Sequence, residues 1–522
     1  MTDNPQNQYG FLSTLPISEA VTSSLVQHFK RLELGNSTVI QTPLVKKTIT
    51  ADEILDGWDI IYQTNKGSRV NAVLDELEQS NRDKFGARSI AKSWDDRIPS
   101  VEEYYDTRSY NLYRLHDILD MDFCRISPRL RPISLHKAMS YLKNSTNSGL
   151  PYFTKKGKVK DKLLKEFENV PNNLPCILFT RTQEGNKTRN VWGYPIKATL
   201  LETQFYQPLL DYQRRFAYWR GAILSPEETD KRVSRIINLS RRNPGRYTII
   251  SIDFSRYDAS VQPFMINLAF DYIKGLFQPE FAPDIELLKN LFMTIPLLTP
   301  SGIYRGTHGV PSGSTFTNEI DSLVQYLIAM GTGLILENHF QIQGDDGIYL
   351  VEKDNLDEFI KAFELQGLNV NKSKSYFSED FAIYCQNLHH PDYSDGKGLY
   401  YGVYSTYRAL NRLVHQERWV NFKAYGISGL DYYSLRAISI LENCKHHPLF
   451  EDLVRYVLRL DRAKLSFNPD SFGKYCQLLK EGKGSGWVHG NQYGDDPKGI
   501  SNFATIQLVN KLLEEDEFKN LE

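Results

Sequence analysis

In HFQIQGDDGIYLVEK (His339–Lys353), apolar and β-forming residues stand on both sides of Gly344-Asp345-Asp346-Gly347, the pattern of a β-hairpin with acids at its tip. Adjacent carboxylates there suit a hard divalent cation, because Mg²⁺ takes oxygen ligands and is usually held by one or two carboxylates plus substrate phosphates. The three letters alone do not define such a site. Gly494-Asp495-Asp496 recurs in WVHGNQYGDDPKG, without flanking apolar strands and followed by Pro497, and reads as an ordinary turn.

Context upstream separates the two copies. Tyr247–Asp253 (YTIISID) follows the turn-like Asn243-Pro244-Gly245 and reads as a buried strand ending at Asp253, with a helix after it from about Phe264 to Phe277. Packed beside the Gly344 hairpin, such a strand would bring Asp253 and Asp345 to one point, where they could bridge two cations. Taken alone, an aspartate at a strand end is more often a turn or cap residue.

Between these elements lies GVPSGSTFTN (Gly309–Asn318), a small-residue loop opening a helix. Phe316, Ile320, Leu323, Val324 and Leu327 then recur at the three-and-four spacing of an amphipathic helix. Glycine and serine let a backbone approach a ligand closely, and a helix N-terminus favours negative charge. The plainer alternative is that Ser314 or Thr315 caps the helix. Another helix is predicted from Leu356 to Leu365.

DFSRYD, then SGSTFTN, then GDD, in that order, resembles motifs A, B and C of viral RNA-dependent RNA polymerases. The resemblance implies an α+β right-hand fold of fingers, palm and thumb, closed by N-terminal fingertip connections. In that family Asp253 and Asp345 would hold the metals, with Asp346 a neighbouring ligand and Mg²⁺ the cofactor, Mn²⁺ substituting. Asp258, Ser312 and Asn318 match residues that bond the ribose 2′-hydroxyl, with Gly313 and Thr317 in the same nucleotide-binding loop. A site built to bond a hydroxyl rejects the analogue lacking it, because its own polar groups are then left unpaired.

ILFTRTQEGNKTRNVWGYP carries Arg181, Lys187 and Arg189. Lys187 and Arg189 would share one face of a strand and could neutralise a triphosphate; the segment resembles motif F, although an exposed hairpin is the ordinary reading of such charges. NSTNSGLPYF, with Ser148 and Gly149, resembles the template-contacting motif G. The run KKGKVKDKLLK follows directly, with Lys155, Lys156, Lys158, Lys160, Lys162 and Lys165 against Asp161 alone. That adjacency makes Lys155, Lys156 and Lys158 candidate contacts for template phosphate. Asn371-Lys372-Ser373-Lys374 falls where motif D places a lysine able to protonate pyrophosphate, and Lys374 is preferred over Lys372.

The whole resemblance is to the picobirnavirus enzyme, with partitivirus polymerases next. It implies an N-terminal bridging region at 1–109, fingers at 110–246 and 262–300, palm at 247–261 and 301–405, and thumb with a C-terminal loop at 406–522. Implied partners are RNA template and nascent RNA, NTPs and viral capsid protein, with a monomeric catalytic unit in the virion interior and host cytoplasm. A reverse transcriptase and a non-enzymatic RNA-binding protein are the competing classes; Asp258 with Asn318 argues against the first and intact metal ligands against the second.

Bulk composition is compatible with this reading but does not produce it. A net charge of -1 over 522 residues gives no global sign of nucleic-acid binding, so any such contact must come from local clusters such as the lysine run, Arg214-Arg215-Arg220, or Arg241-Arg242-Arg246. Five cysteines without CxxC spacing argue against a zinc site or disulfide framework. Neither a signal or transit peptide nor a membrane span is legible. Gly482–Gly499, with Trp487, reads as a surface loop, the alternative being a segment that folds toward the cavity to gate or prime synthesis.

Overall fold

The computed structural model describes residues 8–46, 48–107, 129–422, 426–461, 465, 503–515 and 518. The second Gly-Asp-Asp, with the loop at 482–499, lies outside them. Among the described residues the strands are β1 (Cys176–Gln183), β2 (Lys187–Gly193), β3 (Tyr247–Ile252), β4 (Leu297–Thr299), β5 (Gly302–Tyr304), β6 (Ile335–Gln343), β7 (Asp346–Glu352), β8 (Tyr376–Ser378), β9 (Ala382–Tyr384), β10 (Asn387–Ser394) and β11 (Tyr400–Tyr404). They form three sheets, ordered β2-β1-β4-β5, β6-β7-β3-β8 and β11-β10-β9.

The β6-β7-β3-β8 sheet carries the acidic turn, and its strands are antiparallel throughout. All six residues of β3 are buried, because each face of the sheet is covered. Side chains alternate across a strand, so Ile250, Ile252, Tyr349 and Val351 enter one core while Tyr247, Ile249, Ile348 and Leu350 enter another. A strand buried on both faces loses the polar alternation of a half-exposed one, which is why YTIISI reads as a nearly continuous apolar run. Truncating Ile250 to alanine there would cost about 2–5 kcal/mol.

Helices Pro263–Leu276, Thr317–Thr332 and Leu356–Leu365 pack on the first face, and helix Pro226–Arg242 on the second. The predicted helices therefore form within a residue or two of their expected bounds. Phe316 is the N-cap of Thr317–Thr332 and makes no side-chain cap bond, so neither Ser314 nor Thr315 is its N-cap.

The N-terminal residues divide between two further cores. Tyr9, Leu25, Phe29 and Trp94 join the core under β1 and β2. Ile54, Trp58, Tyr62 and Leu74 join the core built on helices Thr406–Val414, Gly429–Glu442 and Phe450–Leu460. Glu78, fully buried, accepts from Thr406 N at 2.8 Å and from Thr406 Oγ1 at 2.6 Å, capping the first of those helices from a distant part of the chain. No helix among the described residues is long and apolar enough to cross a membrane.

Candidate active site

Gln343 pairs with Asp346 across β6 and β7, leaving Gly344-Asp345 as a two-residue loop. Gly344 has φ +64 and Asp345 is not among the residues of positive φ, the Gly-X pattern favoured in tight hairpins. Ile252 pairs with Gly347; one further step of that antiparallel register sets Asp253 opposite Asp346. The three carboxylates thus gather at one end of the ladder.

Helix Thr317–Thr332 holds the turn from behind. Gly344 N donates to Ser322 Oγ over 2.8 Å, and Gln325 Nε2 donates to Gly344 O over 2.6 Å. Asn318 Nδ2 lies 2.8 Å from the point where a Cβ on Gly344 would stand. These three residues are one stripe of the helix, four and then three positions apart, on an element that is otherwise largely apolar. Gln325 Oε1 also accepts from Tyr349 Oη at 2.8 Å.

The acids raise one another. Burial and then Asp345 push the Asp253 carboxyl up, opposed by Lys374 and Lys187. Burial, Asp345 and Asp253 push Asp346 up to about 7. Asp258 is raised by burial and Asp345, against the pull of Arg189. Asp321 is raised by burial, Asp258 and Asp345, and its buried Oδ1 has no hydrogen-bond partner among the described residues. Asp258 and Asp346 are ringed by protein but keep a path to solvent, as side chains lining a deep cleft do. A set of mutually repelling carboxylates with an orphaned oxygen beside it suits a divalent cation. Among the described residues no three His, Cys, Asp or Glu side chains form a ready metal cage, so bound cations would have to complete their shells with water and substrate phosphate, the usual habit of Mg²⁺.

Cations face these acids. Arg181 pairs with Arg189 and Gln183 with Lys187 across the β1–β2 hairpin, so Arg181, Lys187 and Arg189 share one face, and all three are exposed. Among the described residues none of the three side chains makes a hydrogen bond or ion pair. Lys187 is felt by Asp253 and Arg189 by Asp258. Lys374 reaches the same cluster because its turn is tied to the aspartate strand: Asn371 N donates to Asp253 O at 2.8 Å, and Asp253 N to Ser375 Oγ at 3.0 Å. Lys372 instead points to Glu364 at 3.7 Å.

The Gly309–Asn318 loop is stitched to both of its neighbours. Val310 N donates to Asp258 O at 2.7 Å, and Ser312 Oγ donates to Asn190 O on β2 at 3.0 Å. A Cβ on Gly313 would lie 1.6 Å from Trp192 O, so only glycine fits there. Thr317 Oγ1 donates to Pro311 O at 2.8 Å and Ser314 O at 2.9 Å.

Residues 179–388 match the family described as viral RNA-dependent RNA polymerase. Over 490 residues the chain is 29% identical to a potential RNA-dependent RNA polymerase of human picobirnavirus (strain Human/Thailand/Hy005102/-), covering 85% of this chain and 86% of that one. It is 26% identical over 282 residues to an RNA-directed RNA polymerase of Cryptosporidium parvum virus 1, across 48% of this chain and 53% of that one. The crystal structure of the RNA-dependent RNA polymerase of a human picobirnavirus superposes with a TM-score of 0.78 at 26% identity, over 93% of this chain and 96% of its own. Its insertion-loop deletion mutant gives the same TM-score over 94% and 97%. The chain is an RNA-directed RNA polymerase, similar in sequence and in fold to the viral enzymes of the picobirnavirus type.

In this polymerase, of right-hand fold, the remaining candidate residues are placed unevenly. Lys155 and Lys158 are exposed. Lys156 is half-buried, and burial with neighbouring Lys160 lowers its ammonium to about 8. Ser148 and Gly149 are buried inside their own loop: Ser148 Oγ accepts from Thr154 N at 3.2 Å, and a Gly149 Cβ would lie 2.3 Å from Tyr194 O. They shape the loop and do not present a side chain to a strand of RNA. Ser312, expected beside Asp258 and Asn318, spends its hydroxyl on the β2 backbone, and no hydrogen bond joins the three among the described residues.

Ser322, Gln325, Asp321 and Glu202 were not singled out from the sequence. Glu202, fully enclosed and raised to about 7 by burial, accepts from Ser314 Oγ at 2.6 Å and Thr315 N at 2.7 Å, fixing the loop before the helix. Buried polar residues at helical spacing inside an apolar helix were the available signal for Ser322 and Gln325. Arg220, grouped with exposed arginines by its neighbours in sequence, is instead buried against Glu319 at 3.0 Å.

Proposed function

We propose that this chain carries out template-directed nucleotidyl transfer, in which a 3′-hydroxyl attacks the α-phosphate of an NTP and pyrophosphate leaves, for transcription and replication of a double-stranded RNA virus genome. The observation that carries the proposal is the convergence of Asp253, Asp345 and Asp346 at one ladder end, faced by the cations Lys187, Arg189 and Lys374. Two divalent cations, Mg²⁺ or Mn²⁺, would be held by those carboxylates and would supply charge stabilisation to the attacking and leaving oxygens. Arg181, Lys187 and Arg189 bind the triphosphate and hold it in line. Lys374 Nζ, exposed beside Asp253, gives its proton to the pyrophosphate oxygen. Asp258 and Asn318 line the ribose side of the nucleotide, and Lys155 and Lys158 draw in template phosphate.

In this reading residues 247–261 and 301–405 are palm, 110–246 and 262–300 fingers, and 406–522 thumb. The segment 1–109 bridges fingers and thumb, supported by the packing of its early and late residues (Tyr9–Leu32, Trp94, Val101) into one core and of its middle (Leu44–Leu74) into the other. The enzyme acts as a monomeric unit within the particle in the host cytoplasm, beside capsid protein. Incorporation of NTPs and dNTPs on matched RNA and DNA templates tests the proposal: ribonucleotide incorporation on RNA is expected, and a preference for dNTPs would make the chain a reverse transcriptase instead.

A further inference from the structure

Arg220 stands in the short connection between helices Ile196–Phe216 and Pro226–Arg242, where a charge would ordinarily be solvated, yet its side chain is 1% exposed. The connection is laced to β6 just before the acidic turn: Ile342 N donates to Trp219 O at 2.9 Å and Gly221 N to Gln341 Oε1 at 2.8 Å. From that anchor the guanidinium divides its donors. Nη1 reaches Glu319 Oε2 at 3.0 Å and Gln213 Oε1 at 3.2 Å; Nη2 reaches Asn318 Oδ1 at 2.9 Å and Gln343 Oε1 at 3.3 Å.

A guanidinium has donors and no acceptor. Asn318 must therefore turn its oxygen toward Arg220, which leaves its carboxamide nitrogen on the opposite side. That nitrogen lies over Gly344 and has no acceptor among the described residues. A flipped carboxamide would set NH₂ against the guanidinium. As a source of stability the buried Arg220–Glu319 pair is inefficient, since well-packed apolar residues usually serve as well. We propose that Arg220 is a positioning residue for sugar selection: it fixes the Asn318 carboxamide with its donor face toward the nucleotide, ready for the ribose 2′-hydroxyl oxygen, and through Gln343 holds that donor in register with the acidic turn. This rests on the reading of Asn318 as a ribose contact.

The test compares kcat/KM for NTP and matching dNTP in the full-length protein with a defined RNA template. Arg220→Lys keeps a charge opposite Glu319 but loses the fork. The double variant Arg220→Met/Glu319→Leu removes both charges, so that neither is left buried alone and the test survives if the single variant does not fold. Asn318→Asp keeps an oxygen for Arg220 and deletes the outward donor. Both Arg220 variants are expected to lower the NTP preference about tenfold, the scale of one net hydrogen bond, with dNTP incorporation retained, and Asn318→Asp to lower it at least as much. Equal loss for NTP and dNTP in folded Arg220 variants, with the preference unchanged, overturns the positioning role. If that happens while Asn318→Asp lowers the preference, only the Arg220 inference fails; if Asn318→Asp leaves the preference intact, the ribose reading fails and the inference falls with it.

Discussion

Gly344 N donates to Ser322 Oγ over 2.8 Å, so the first residue of the acidic turn is tied to the helix that follows the small-residue loop. With Gln325 on Gly344 O, both backbone polar groups of that glycine are used up by one helix. The position of Asp345 thereby depends on side chains that never touch a nucleotide.

Gln325→Leu removes the partner of Gly344 O and also that of Tyr349 Oη. Each orphaned buried group costs about 1–3 kcal/mol. Urea unfolding should show a loss in that range per group, and kcat for nucleotide incorporation should fall with it. Unchanged stability would mean that the helix does not brace the turn.

Gly313→Ala forces a Cβ to within 1.6 Å of Trp192 O. Neither partner is a flexible side-chain tip, so the loop must leave β2, at a cost of about 1–3 kcal/mol for overpacking. Denaturant midpoint and NTP KM should both worsen, and Gly245→Ala, where a Cβ meets open space but φ is +76, serves as the comparison for backbone strain alone.

Lys374→Ala and Lys372→Ala separate the two lysines of one turn. Lys374 acts on Asp253, whereas Lys372 is exposed and weakly paired with Glu364. Loss of a general acid lowers kcat roughly 10²–10⁴-fold, and this is expected at Lys374. Loss of a surface pair is worth roughly 0–1 kcal/mol, and Lys372→Ala should leave incorporation near normal.

The raised acids make stability depend on pH in a definite direction. Asp346, pushed up to about 7, and Asp253, also raised, are more readily protonated folded than unfolded. The Asp346 contribution is fully present below the unfolded carboxylate pKa and is lost as pH rises through about 7, and the Asp253 contribution changes in the same direction. In chelator, the thermal stability of the unaltered protein relative to Asp346→Asn should therefore be lower at pH 8 than at pH 6. Mg²⁺ should recover more of it at pH 8, where the carboxylates are charged, and Asp346→Asn should flatten the pH dependence. A metal effect that is larger at pH 6 contradicts this account.

Much of the central sheet was legible because short β-forming runs are bounded by clear turn residues, and its covering helix because apolar residues recur at helical spacing. Tyr247–Ile252 and Asp346–Glu352 alternate between two cores, and Phe316, Ile320 and Leu323 mark one helix face. What escaped the sequence are residues whose chemistry is opposite to their location. Arg220 falls in a basic cluster open to nucleic-acid contact and is buried; Ser322 and Gln325, passed over in a largely apolar helix, support a turn; Ser148 reads as a contact and is enclosed. Local sequence carries propensity and period, whereas these placements are set by partners about a hundred residues away, such as Glu319 for Arg220, or by a hairpin packed across the helix. The irregular pairing of β10 with β11, whose register shifts between His389 and Ser394, likewise hides its alternation.

The most direct measurement is RNA synthesis by the purified protein on a defined RNA template with Mg²⁺ and with Mn²⁺, beside Asp345→Ala. Incorporation of labelled NTP by the unaltered protein with a divalent cation, and its abolition in a variant that keeps the cooperative thermal transition, is the predicted result. Near-normal synthesis by folded Asp345→Ala would contradict the assignment of the acidic turn as the catalytic centre.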